Sequence, residues 1–181
     1  MKLVYLIFGT LCFQLCNVEL EAKSIEGPVP FHRYWRKDGS DHYYTTEPNQ
    51  LGGVKVDLTL FGYQSEGIAC RIFPYQTNDL SPLYVYYNDK TVDHFYTLYE
   101  HEIGTTTPGE FGNHGYQSAG IAGYCSREQF PGSIPLYRYM NSDAYDHFYT
   151  TNANEIGTTT PGHIGKHGYK SEGIACYVLP A

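Results

Sequence analysis

Short runs in which apolar and polar side chains alternate recur in the same order three times between residues 30 and 178. Each set opens with a proline and an aromatic-rich run: Phe31-His32-Arg33-Tyr34-Trp35 after Pro30, Leu83-Tyr84-Val85-Tyr86-Tyr87 after Pro82, and Leu136-Tyr137-Arg138-Tyr139-Met140 after Pro135. A proline at the first residue of a strand loses no ladder bond, so these runs are first strands. A polar turn leads to Asp41-His42-Tyr43-Tyr44-Thr45, Asp93-His94-Phe95-Tyr96-Thr97 and Asp146-His147-Phe148-Tyr149-Thr150. Two such runs joined by a short polar loop predict a hairpin. The period of two puts His42 with Tyr44 on one face and Asp41 with Tyr43 on the other, and groups His94 with Tyr96 and His147 with Tyr149.

A polar segment ending at Gly52, Gly104 or Gly157 follows, where a turn of helix is expected. The last strand of each set starts Gly-Tyr at Gly62, Gly115 and Gly168, which predicts a tight bend before an inward aromatic. Along it Glu66, Ile68 and Cys70 share a face, as do Ala119, Ile121 and Gly123, and Glu172, Ile174 and Cys176.

The step from Gly67 to Gly120 to Gly173 is 53 residues each time. A unit of that length cannot bury its own apolar side and must pack on its siblings. The expected fold is therefore all-β, one domain over residues 30–181 with repeats at 30–81, 82–134 and 135–181. The repeats should close around a pseudo-threefold axis in a β-trefoil-like body. Each repeat offers three strands where a trefoil has four, so another three-lobed β closure stays open.

Residues 1–22 read as a secretory signal, with Lys2 ahead of an apolar run too short to span a bilayer comfortably, and residues 23–29 as a short polar leader. No later stretch is apolar enough to cross a membrane, so the expected product is secreted and extracellular. A formal charge of −7 without a Lys/Arg cluster argues against nucleic acid or anionic lipid as partner. Tyrosine, at 19 residues, is the compositional anomaly. It fits either a half-buried sheet whose hydroxyls reach water or a set of surface platforms.

Beyond the signal the cysteines are Cys70, Cys125 and Cys176, and an odd number in an exported chain implies a free or intermolecular thiol. Cys70 and Cys176 occupy equivalent positions and form the candidate pair. That leaves Cys125 single or available to a second chain.

The threefold Asp-His pair is the first candidate for chemistry. Neighbours on a strand point to opposite faces, so Asp146 cannot orient His147. No two histidines sit at metal-ligand spacing on one element, and no metal or cofactor is expected. Glu66 and Glu172 recur but Ala119 breaks the series, which suits binding sites that fail independently better than one catalytic centre; the chain does not read as an enzyme. Sugar binding needs aromatic faces and planar polar groups. The candidates are His42, Tyr44 and Glu66 in the first repeat, Asn88, His94 and Tyr96 in the second, and Asn141, His147, Tyr149 and Glu172 in the third. The expected function is a non-catalytic, lectin-like module with up to three weak sites acting together on a glycan or polysaccharide. The alternative is a structural protein of an extracellular matrix, coat, shell or mucus.

Pro-Leu-Tyr-Arg-Tyr, Asp-His-Phe-Tyr-Thr-Thr and Gly-Tyr-Lys-Ser-Glu-Gly-Ile-Ala-Cys-Tyr-Val resemble a tandem repeat family of unknown function, found in secreted bacterial and animal proteins and often appended to bacterial cell-wall hydrolases. The resemblance spans residues 30–178. It implies a non-catalytic extracellular module that binds carbohydrate or cell-wall polymer. The chain departs from the pattern at Phe61, where later repeats have His114 and His167, and at Ala119.

Overall fold

A computed structural model describes residues 27–48, 50–51, 54–55 and 57–181. The expected signal at 1–22 and residues 23–26 of the leader lie outside the described residues. The strands are β1 (Val29–Arg36), β2 (Asp41–Thr45), β3 (Gln50–Leu51), β4 (Val54–Lys55), β5 (Tyr63–Ile72), β6 (Ser81–Asn88), β7 (Asp93–Thr97), β8 (Gln117–Cys125), β9 (Ile134–Asn141), β10 (Asp146–Thr150) and β11 (Lys170–Val178). They form three matching antiparallel sheets, ordered β2-β1-β5, β7-β6-β8 and β10-β9-β11, with β3-β4 a separate small hairpin. Among the described residues no helix is long and apolar enough to cross a membrane.

The proline-led strand is the middle one of each sheet, which is tolerable because the second strand begins pairing only at His32, Tyr84 and Tyr137. Each proline thus lacks a neighbour on that side. The expected helical turn is a 3₁₀ turn at Glu100–Glu102 in the second repeat, whereas the first repeat has the β3-β4 hairpin there. The Gly-Tyr bend is as expected: Gly168 takes φ 79° and Tyr169 is buried.

The third strand departs from simple alternation. Pairing skips Glu66 and Ala69 in β5, Ala119 and Ala122 in β8, and Glu172 and Ala175 in β11, two bulges per strand. The second bulge reverses parity. Ile68 is 40% exposed while Cys70 is buried, so they do not share a face. The first bulge swings Glu66 and Glu172 out of the ladder.

The second strands are buried on both faces. Tyr44, Tyr96 and Tyr149 point into a central core with Phe31, Leu83 and Leu136. Tyr43, Phe95 and Phe148 face outward into a small core of their own repeat, such as Phe95 with Tyr86, Ile103 and Tyr116. Each fully buried apolar side chain of this kind contributes roughly 2 kcal/mol. The tyrosines are thus largely internal, and many hydroxyls bond to protein rather than reaching water.

At the far end of the sheets the third strands link in a cycle. Phe73 bridges Tyr124, Ser126 bridges Tyr177, and Leu179 bridges Arg71. Each link joins one position of a repeat to the position two residues earlier in the next, and this offset corrects the expected disulfide. Cys70 and Cys176 are equivalent and are not partners; Cys125 pairs with Cys176, at a Cα–Cα distance of 6.2 Å. The bridge is intramolecular, so Cys125 is not the thiol that reaches a second chain. Among the described residues Cys70 is the free cysteine, buried, with its thiol pushed up to about 12 by that burial. At the first-to-second link the pair is Ile72 and Gly123. A Cβ on Gly123 would lie 2.5 Å from Ile72 Cδ1, which is why that position carries no side chain.

Candidate functional site

The Asp-His pair acts between repeats. The Asp41 carboxylate accepts the His94 amide and ring Nδ1 at 2.9 and 2.8 Å, Asp93 accepts those of His147 at 2.9 and 2.7 Å, and Asp146 those of His42 at 2.8 and 2.7 Å. Tyr63, Tyr116 and Tyr169 each donate their hydroxyl to the aspartate of their own repeat. Adjacent residues on a strand do point apart, and the cyclic arrangement makes that useful: each imidazole turns to the neighbour's carboxylate. Burial tends to push the Asp41 carboxyl up, but His94, Tyr63 and the His94 amide outweigh it and hold it below its ordinary value. Oxygens of the three aspartates come within 4.8 Å of one another. Each carboxylate is already occupied by three protein donors.

Tyr44, Tyr96 and Tyr149, expected as sugar-stacking faces, sit instead in the central core with ring centroids 5.4–5.5 Å apart and planes at 80–81°. Each hydroxyl donates to a backbone carbonyl and accepts an amide of another repeat: Tyr44 with Tyr149, Tyr149 with Tyr96, Tyr96 with Tyr44. Asn88 and Asn141 are likewise committed, their side chains holding the turn amides of Lys90 and Asp143 and the carbonyls of His114 and His167. These five residues are fasteners of the framework.

His42, His94, His147, Glu66 and Glu172 do come together at the junctions. His42 Nε2 lies 3.7 Å from Glu66 and His147 Nε2 lies 3.9 Å from Glu172. Residues not singled out from the sequence complete these junctions. Arg33 spans Glu66 at 2.8 Å and Glu155 at 3.0 Å, lying over the Phe148 ring. Arg138 spans Glu172 and Glu102, each at 2.8 Å, over Phe95. An arginine held by two carboxylates on an aromatic face locks the third repeat to the first and the second to the third.

At the first-to-second junction the whole set is replaced. Val85 stands where the arginines stand, Ala119 where Glu66 and Glu172 stand, and Gln50 where Glu102 and Glu155 stand. Losing the arginine alone would strand two carboxylates; losing all three members leaves no unpaired charge. Tyr43 replaces the phenylalanines, and its hydroxyl donates to the Gln50 carbonyl at 2.9 Å.

The cleft at this junction, about 520 Å³ around Val85, Ala119 and His94, reaches inward to Tyr44 and Thr45. Tyr87, Phe61, Gln117 and Arg36 also line it. The second-to-third junction has a cleft of about 540 Å³ as well, but one lined by Arg138, Glu102 and Glu172 and not reaching Thr97, the counterpart of Thr45. There Thr97 donates its hydroxyl to Glu102. The His94 ring is held between Tyr43 and Tyr87 at 4.8 and 4.6 Å. Comparing the three repeats position by position is the signal that finds Arg33, Val85 and Arg138, because their identities change together with those of their carboxylate partners.

Residues 30–179 match the model of a family described as a domain of unknown function, DUF5648. No curated protein and no solved structure matches the chain.

Proposed function

The chain belongs to the DUF5648 family, and we propose that it is a secreted, non-catalytic carbohydrate-binding protein whose sites are the clefts between repeats. In this reading the repeats close about a pseudo-threefold axis as a β-trefoil-like body, and each junction repeats one contact of imidazole on an aromatic ring. The carrying observation is the first-to-second cleft. It is lined by the rings of Phe61 and Tyr87 and by Gln50 and Gln117, the last with its Nε2 donating to the Gly109 carbonyl at 2.8 Å and its oxygen left to accept; rings stack on a pyranose and planar amides bond to its hydroxyls. His42 with Glu66 and His147 with Glu172 supply the weaker counterparts at the other junctions. A glycan array probed with the secreted chain tests the reading: retention of specific saccharides without their cleavage is expected, and turnover of a polysaccharide would overturn it.

A structural role in an extracellular matrix is the second reading. It draws on the exposed apolar side chains Leu60, Ile164 and Phe111, at 81%, 70% and 67% exposure, which self-association would cover. An empty array together with native protein recovered in an insoluble matrix would favour it.

A further inference from the structure

We propose that the first-to-second cleft is the principal ligand site and that it selects a saccharide bearing a carboxylate, a hexuronic acid, gripped by Arg36; this rests on the carbohydrate-binding reading above. Two independent observations converge on it. The arginine-and-two-glutamate clamp that occupies the other junctions is deleted here as a unit, and the cleft deepens to Thr45 in its place. The deletion removes both flanking carboxylates, so an incoming anion meets Ala119 and Gln50 rather than two glutamates. A new cation appears in the same cleft, because Arg36 stands where the other repeats have Asn88 and Asn141.

Among the described residues no side chain or backbone group hydrogen-bonds the Arg36 guanidinium. Its Nε is buried and without a hydrogen bond, and among the described residues no carboxylate lies within ion-pair distance of its guanidinium. Arg36 lines the cleft, and a bound carboxylate would give its guanidinium a charge-assisted partner. The guanidinium packs over the Tyr63 ring at 6.0 Å, which limits its rotamers. Glu47 is the cleft's one acidic lining residue and is exposed at the surface, where solvent screens it. His94 adds a hydrogen-bonding nitrogen for a sugar hydroxyl: Asp41 holds Nδ1, and Ala119 replaces the glutamate that approaches Nε2 in the other repeats.

Calorimetric titration of the secreted chain with galacturonate and glucuronate trimers, their methyl esters, and inorganic sulfate tests this. The expected result is one acid trimer bound per chain, with the ester roughly tenfold or more weaker and sulfate weaker still. Arg36→Gln should reduce the acid trimer to the ester's affinity while leaving the ester unchanged. The triple variant V85R/A119E/Q50E, which rebuilds the clamp, should abolish binding of both while remaining folded by circular dichroism. Equal affinity for acid and ester, an unaltered Arg36→Gln, or binding of neutral saccharides only on the array would overturn the inference and leave carbohydrate binding standing. Absence of any saccharide binding would overturn both. Sulfate binding as tightly as the acid trimer would mark a simple anion site and overturn the saccharide assignment.

Discussion

The carboxylate of Asp41 holds His94, 53 residues later in the chain and in the next repeat, through both its backbone amide and its ring Nδ1. The same bond repeated from Asp93 to His147 and from Asp146 to His42 returns the chain to its start. Each aspartate is therefore a bolt between two repeats, buried at 0–1% exposure. Asp93→Ala strands the His147 amide and ring and the Tyr116 hydroxyl together, and should cost about 3–5 kcal/mol. Asp41→Ala and Asp146→Ala should cost comparable amounts. Urea unfolding measures this; a loss near that of an exposed ion pair would show that the bolts carry little.

Acid should undo the Asp41 bolt and the two arginine clamps. The Asp41, Glu102 and Glu155 carboxyls are all held below their ordinary values: burial tends to raise each, and the hydrogen bonds and charge of His94, Arg138 and Arg33 outweigh it. A carboxyl depressed in the folded state contributes stability that is present above its unfolded pKa and is lost as pH falls through the folded one. The melting temperature should therefore hold down to about pH 4.5 and fall steeply below about pH 4. A melting temperature unchanged down to pH 2 would contradict this.

Tyr149 donates its hydroxyl to the Tyr96 carbonyl and accepts the Tyr96 amide, both at 2.8 Å. Tyr149→Phe leaves a buried amide and carbonyl unpaired at once, and an expected cost of about 1–3 kcal/mol applies to each such group. Thermal unfolding of this variant and of Tyr44→Phe should give similar losses, because the three hydroxyls occupy equivalent places.

The cyclic offset of the third strands makes a covalent prediction. Cys125 joins Cys176, and the corresponding positions at the third-to-first link are Val178 and Cys70. Val178→Cys should oxidise onto Cys70, add a second disulfide and raise stability by about 2–4 kcal/mol. Non-reducing peptide mapping reads the pairing; two free thiols in the folded variant would contradict the offset.

The hairpins, the Gly-Tyr bends and the three-strand repeat were legible because each rests on local pattern. The 53-residue period showed that the repeats must pack together. What local pattern could not supply was the handedness of that packing, and the partners of Asp41, Tyr44 and Cys125 depend on it. The bulges at Glu66 and Ala69 were hidden for a different reason: an alanine inside an apolar run carries no sign that it leaves the ladder. Val92 and Tyr145 take left-handed backbone conformations just before their aspartates, at φ 56° and 54°, which neither residue type announces. The candidate site was half visible. The histidines and glutamates were legible repeat by repeat, and their placement at the junctions comes from the packing, while the tyrosines are drawn into the core because their hydroxyls satisfy backbone groups there.

The central claim is that ligands enter between repeats, foremost between the first and the second. Amide-resonance mapping of the isotope-labelled chain, titrated with a galacturonate trimer, tests it most directly. Saturable shifts are expected at Val85, Tyr87, His94, Gln117 and Ala119, with their counterparts at Arg138, Met140, His147, Lys170 and Glu172 little changed. Shifts of equal size at all three junctions, or none at any, would contradict it.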